Sequence, residues 1–237
     1  VNRVDISDPA FRYGQGVFET VMVRSGRAQW IDFHRAEWQR AAAALALPAP
    51  DLAVTEEVPP GEGVWRWFHT ASGSGTWFQP DRSPVSDVVS LKLSTLRVSA
   101  RSWEARYKTL SYLLHVQARG EADAAGEVVL LNEFGIVASA SMANVFWVKA
   151  GRLFTPDHEA GCRAGVVRRW VLEQGGEPVE TGHYPWTALL EADEVFVTNS
   201  RLGICPVGRV QESPKAAGPV TRRLRERYCA CVAAAVP

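Results

Sequence analysis

Neither sign of charge is in excess in this chain. Lys plus Arg and Asp plus Glu number 26 each among 237 residues, so the formal net charge is zero. That balance, with no basic stripe, excludes the electrostatic footprint of a nucleic-acid or anionic-membrane binder. No apolar run approaches the roughly 18 residues that a membrane-spanning helix requires. The opening stretch VNRVDISDPAFRYG carries no apolar segment of the signal-peptide kind. A reducing, cytoplasmic compartment is the expectation. Cysteine is sparse. Cys162, Cys205, Cys229 and Cys231 fit neither a zinc spacing nor a disulfide framework, and read as buried or incidental thiols. His34, His69, His115, His158 and His183 show no ligand spacing either. Lysine is scarce against many arginines, with only Lys92, Lys108, Lys149 and Lys215. Any amine chemistry must come from one of these four.

What the chain does have is apolar content, 46% of residues, enough to bury a large core. VFETVMVRSGRAQWIDF has two strand-like runs around a hairpin signal from Ser25 to Arg27. HRAEWQRAAAALAL follows as an alanine-rich helix closed by Pro48 and Pro50. GVWRWFHTA and VVSLKLSTLRV read as strands, with SGSGTWFQPDRSP as a loop between them. A helical pattern runs through TLSYLLHVQARGEADA. A second block of strands begins at EVVLLN, with helices at VVRRWVLEQ and VTRRLRERYCACVAAA. Strands and helices are segregated more than alternated, which favours an α+β fold over a doubly wound sheet. The expected division is a small N-terminal α+β domain over residues 1–114 and a larger C-terminal α+β domain over 115–237.

Lys149 in a KAG turn and Lys215 beside Pro214 read as solvated, and Lys92 lies within a strand. Lys108 differs. It sits in RYKTLSYLL, where an extended stretch hands over to a largely apolar helix. A partly desolvated lysine there can lose its proton and attack a carbonyl; a surface lysine lying along its own stem is the plainer reading. Two stretches offer anion sites. RAGVVRR puts Gly165 at a helix start, where free N–H groups and the helix dipole favour an anion. FVTNSRLGI clusters Thr198, Asn199 and Ser200 at the end of a strand. An isolated lysine with two anion sites describes an aldehyde-plus-phosphate cofactor, pyridoxal phosphate.

The segments FRYGQGVFET, FHRAEWQRAAAALALP, YKTLSYLLHVQA, EVVLLNEFGIVASASMANVFWV, GRLFTP, AGVVRRWV and LLEADEVFVTNSRLGICPV occur in the order of a known family. The chain resembles the fold-type-IV pyridoxal-phosphate enzymes, which include branched-chain and D-amino-acid aminotransferases. Its ADEVFVTNSRLGICPV segment is most similar to the aminodeoxychorismate lyases. The resemblance implies a two-domain α+β fold, pyridoxal phosphate as cofactor, a small-molecule substrate and a cytoplasmic homodimer. It places Lys108 at the cofactor-binding and catalytic lysine. Gly165, Val166 and Val167 fall at the phosphate-binding helix start, Ser200 at a second phosphate contact, and Tyr13 near the substrate. Asn144 falls on an asparagine that supports a turn.

Four positions depart from the family pattern. Ser139 stands where a glutamate normally meets the cofactor's pyridine nitrogen. Glu37 stands where an arginine pairs with the phosphate, and Arg40 one turn on could compensate. Val167 replaces a threonine, and the loop TASGSGTWFQP lacks the arginine-rich segment near the substrate carboxylates. The implied activity is conversion of 4-amino-4-deoxychorismate to 4-aminobenzoate and pyruvate, a step of folate biosynthesis. Amino-acid transamination and a cofactor-free protein of the same fold are the competing readings.

Overall fold

The computed structural model describes residues 5–81, 85–123 and 126–234, which fall into two compact units. The first unit is the chain ahead of Val85 together with Tyr107–Tyr112. The second is Val85–Arg106 and the chain from Leu113 onward. A single cut between residues 114 and 115 does not describe this path, because the strand before Lys108 pairs within the second unit.

In the first unit, β1 (Gly16–Arg24), β2 (Arg27–Ala28), β3 (Gly63–Thr70) and β4 (Gly73–Pro80) form an antiparallel sheet in the order β2-β1-β3-β4. The hairpin read at Ser25 is present: Ser25 and Gly26 take φ of 51° and 72°, the left-handed pair that a two-residue hairpin turn needs. A short helix α1 (Pro9–Tyr13) precedes the sheet, and α2 (Ile31–Ala44) packs on it. Strand alternation sends Val17, Val21 and Val23 of β1 and Trp65 and Trp67 of β3 to the helix side, where they enclose Trp38 of α2. The stretch expected as a loop after β3 is strand β4, paired with β3 from Gly63↔Pro80 to Thr70↔Gly73. Its glycines and serines carry little strand propensity. Continuous pairing to one neighbour overrides that.

The second unit holds β5 (Val89–Val98), β6 (Gly126–Asn132), β7 (Val137–Ala140), β8 (Asn144–Lys149), β9 (Arg152–Pro156), β10 (Val179–Gly182), β11 (Glu194–Asn199), β12 (Gly203–Val210) and β13 (Ser213–Pro214). Among the described residues these make one sheet in the order β10-β9-β8-β11-β12-β5-β6-β7, with β13 on β12. The helices are α3 (Trp103–Arg106), α4 (Leu113–Gly120), α5 (Val166–Gln174), α6 (Thr187–Leu190) and α7 (Pro219–Ala234). β6, β8 and β11 are buried on both faces, which explains their near-continuous apolar runs. Alternate residues stack in two layers. Val145, Trp147, Val195 and Val197 join one core, while Phe146 and Phe196 stack at 4.9 Å on the other side. Trp170 of α5 meets Tyr228 of α7 edge-on at 5.1 Å. Lys215 is not a free loop cation: its Nζ donates to the carbonyls of Leu190 and Ala192 at 2.6 and 2.9 Å, capping the end of α6. Burial lowers its pKa.

Candidate functional site

Lys108 is held on the first unit by the edge of β1. β2 covers only Val23 and Arg24, so the edge at Gly16–Phe18 is open to another strand. Residues 108–110 take it: Phe18 N–H donates to the Lys108 carbonyl (2.9 Å), Leu110 N–H to the Gly16 carbonyl (2.8 Å), and Val17 faces Thr109. The glycines of YGQG make this approach possible. A Cβ on Gly16 would lie 2.5 Å from Leu110 Cδ1, and one on Gly14, at φ 69°, would lie 2.3 Å from Ser111 Oγ. In this register Lys108 stands beside Phe18, on the face turned away from α2. Its ammonium lies 4.4 Å from the Phe18 ring centroid and 5.8 Å from that of Tyr112. Those two rings meet edge-on at 5.1 Å. The amine therefore projects from a backbone fixed on both sides into aromatic surroundings.

Beneath it, on the α2 side, lies a pair the sequence reading missed. Glu19 is buried between Val17 and Val21, and its carboxylate accepts from His34 Nδ1 of α2 at 2.8 Å. Burial raises the Glu19 pKa. The His34 bond and charge, followed by the Lys108 charge, outweigh it and hold Glu19 below the ordinary carboxylate range. A polar residue breaking the apolar alternation of VFETVMV was the available signal. Glu37 is bound by Arg40 at 3.0 and 2.6 Å, and Arg40 also lies 4.7 Å over the Tyr107 ring. Arg40 is thus engaged beside the Lys108 segment. Tyr13 ends α1 as an exposed residue, and its carbonyl accepts from Ser111 Oγ at 3.3 Å.

The residues expected to bind an anion lie in the second unit. Gly165 precedes α5 with no side-chain cap, so the N–H groups of the first turn, at Val166 and Val167, are open to an outside acceptor. Asn144 fixes this entry: its amide donates to the Arg163 carbonyl at 2.8 Å, and its Oδ1 would lie 2.1 Å from a Cβ on Gly165. Only glycine fits. Asn144 is also the register partner of Thr198 on β11, which brings the strand end Thr198-Asn199-Ser200 alongside the helix entry. The two stretches singled out in the sequence are therefore joined through Asn144.

Two orphaned groups test whether a phosphate suits this place. Thr198 Oγ1 is buried with no partner. Arg168, also buried, donates from Nη2 to the Pro156 carbonyl at 2.9 Å while its Nε has no partner. A buried guanidinium in the first turn opposes the positive end of the helix dipole. A dianion at the helix start offsets both. The residues fit a phosphate group. Cys162, next to this loop, is a neutral thiol, because burial pushes its pKa up against the charges of Arg168 and Arg163.

Ser139 lies buried on β7 opposite Leu130 and offers a hydroxyl where a carboxylate was the family expectation. The nearby buried carboxylate, Glu127, is engaged by Ser141 Oγ and by the Met142 N–H at 3.2 Å. Its pKa is raised by burial.

A lysine on a strand edge in one unit and an uncapped helix entry with orphaned polar groups in the other are features that a pyridoxal-phosphate enzyme would use. The comparisons agree. The profile for amino-transferase class IV matches residues 74–210, more than half of the chain. The chain belongs to this family, whose members are pyridoxal-phosphate-dependent aminotransferases and lyases. It is 28% identical to the aminodeoxychorismate lyase of Vibrio harveyi over 94% of each chain. It is 29% identical to that of Bacillus subtilis over 86% of this chain and 80% of the relative. The crystal structure of 4-amino-4-deoxychorismate lyase from Pseudomonas aeruginosa superposes with a TM-score of 0.86 at 28% identity, covering 96% of this chain and 94% of that one. A pyridoxal-phosphate-bound aminotransferase from Mycobacterium tuberculosis shares the fold, with a TM-score of 0.85 at 21% identity over 99% and 95% of the two chains. The α+β, fold-type-IV expectation is borne out.

Proposed function

We propose that the chain is a pyridoxal-phosphate-dependent lyase that converts 4-amino-4-deoxychorismate to 4-aminobenzoate and pyruvate. The observation that carries the reading is Lys108, fixed to the edge of β1 with its amine among aromatic rings. The near full-length similarity to two lyases supports the substrate. When bound, the cofactor supplies an electron sink conjugated to the substrate amine. Lys108 would be its attachment point and would supply the base and acid at the substrate carbon. Val166, Val167 and Ser200 offer donors to the phosphate, with Gly165 allowing its approach. Ser139 would offer the ring nitrogen a hydroxyl, which can bond that nitrogen without keeping a proton on it. Elimination demands less of the ring than transamination, so this serine favours the lyase over the aminotransferase reading. Tyr13 is the residue we assign to the substrate side. The family resemblance supports a homodimer in the cytoplasm, and the product supports a place in folate supply.

The test is an absorbance titration with pyridoxal phosphate, wild type beside Lys108→Ala, followed by a pyruvate assay without any keto-acid acceptor. The expected result is a visible protein-bound band and pyruvate release, both absent from the variant. Transamination of common amino acids without pyruvate release would sink the lyase assignment. No band at millimolar cofactor would sink the cofactor assignment as well.

A further inference from the structure

Glu19 is the next residue along β1 after Phe18, whose N–H donates to the Lys108 carbonyl at 2.9 Å. Alternation turns its side chain away from Phe18 and Lys108, to the face that packs under α2. There its Oε2 accepts from His34 Nδ1 at 2.8 Å and from the Thr20 N–H at 3.3 Å. A buried pair of this kind adds little stability that two well-packed apolar side chains would not supply. Stability alone does not account for a carboxylate placed beside the strand bonds that fix Lys108.

The charges around Glu19 are few. Opposite it on β3 stands Trp67, an uncharged ring that meets His34 edge-on at 6.1 Å. Also on β3, His69 is engaged by Ser74 Oγ and the Pro48 carbonyl. Further along α2, Glu37 and Arg40 bind each other, with Arg40 over the Tyr107 ring. Burial pushes the Glu19 pKa up; the bond and charge of His34, then the charge of Lys108, bring it below the ordinary value. Such coupling is mutual, so Glu19 acts on the Lys108 ammonium as the ammonium acts on Glu19. Through the thickness of one strand the two charges stand roughly 10 Å apart. At that separation the coupling is worth about one pH unit. Burial of the carboxylate protects it from screening by salt.

We propose that Glu19, oriented by His34, is a positioning residue for the proton of Lys108: its carboxylate, behind the strand, makes the amine a stronger base. The consequence for the reaction rests on the reading of Lys108 as the base at the substrate carbon. The coupling of the two charges does not.

Trace acetylation of the full chain with acetic anhydride from about pH 6 to 11 tests this without cofactor or substrate. Labelling is read at Lys108 by peptide mass spectrometry, with Lys149 of the other unit as internal reference. Glu19→Gln is expected to lower the pH midpoint of Lys108 labelling by about one unit, a roughly tenfold gain in labelling at pH 8. The Lys149 midpoint stays fixed. Glu19→Asp, which keeps the charge, restores most of the wild-type midpoint at Lys108. An unmoved midpoint in Glu19→Gln overturns the proposal, and so does an equal fall in Glu19→Asp, the mark of a purely structural change. Should Glu19→Gln fail to fold, Glu19→Gln/His34→Gln, which exchanges the pair for two neutral amides, decides, and a wild-type midpoint there overturns it. Pyruvate release by the wild type with an unmoved midpoint in the variants leaves the lyase reading standing and removes this one. A lowered midpoint in Glu19→Gln without pyruvate release by the wild type does the reverse.

Discussion

Glu19 ties the stability of the first unit to pH. Its folded pKa lies below the ordinary value of 4.5, so it binds fewer protons folded than unfolded. Its contribution is full above that ordinary value and is lost as pH falls through the folded one. Glu19→Gln should therefore be less stable than wild type at pH 7, and the gap should close as pH falls below about 4.5. Urea unfolding at pH 7, 5 and 3 measures it; a gap that stays constant would rule out the ionised pair. His34→Ala, which leaves the carboxylate buried without its ion-pair partner, should be worse, at about 3–5 kcal/mol below wild type at pH 7. Ser139 carries a different prediction. Ser139→Glu should hold the ring nitrogen protonated and shift the enzyme toward amino transfer. The ratio of keto-acid amination to pyruvate release is expected to rise at least tenfold, and an unchanged ratio would show that Ser139 does not face the ring.

At the scale of elements, the Lys108 segment depends on what it passes. A methyl group on Gly16 would lie 2.5 Å from Leu110 Cδ1 and 2.9 Å from the His69 carbonyl, and the carbonyl belongs to a paired strand that cannot retreat. Gly16→Ala is expected to push the segment off the β1 edge, at a loss of about 1–3 kcal/mol. Borohydride trapping with mass spectrometry should then find much less cofactor on Lys108. Wild-type labelling in this variant would mean that edge pairing does not position the amine. Helix α5 is set the opposite way, by a polar group rather than a void, since Asn144 occupies the space beside Gly165.

Across the whole molecule, the legible parts were those in which one local signal and the tertiary contacts agree. α2, the β1–β2 hairpin and α5 follow from alanine content, a turn and an amphipathic run. Lys108 stood out because lysine is rare, and the helix entry because glycine and valine stand where a cap would be. β4 was illegible because glycine, serine and proline flank its strand-favouring Thr76, Trp77 and Phe78, and only pairing with β3 extends the strand. Lys215 looked solvated because its acceptors, the carbonyls at residues 190 and 192, are more than twenty positions away. Glu19 left a signal, a polar residue within an apolar run, but its partner His34 became visible only when the fold set α2 against that face.

The return of Tyr107–Tyr112 to the first sheet bears on how the chain is made. A nascent chain halted before Val85 lacks Lys108 and leaves the β1 edge at Gly16–Phe18 bare. One extended to Tyr112 completes that edge but carries β5, a ten-residue strand whose partners β6 and β12 are still untranslated. An unpaired strand of that length is a template for wrong association. No single truncation yields either unit alone, because each carries a stretch that belongs to the other, so Lys108 and the helix entry at Gly165 come together only in a longer polypeptide.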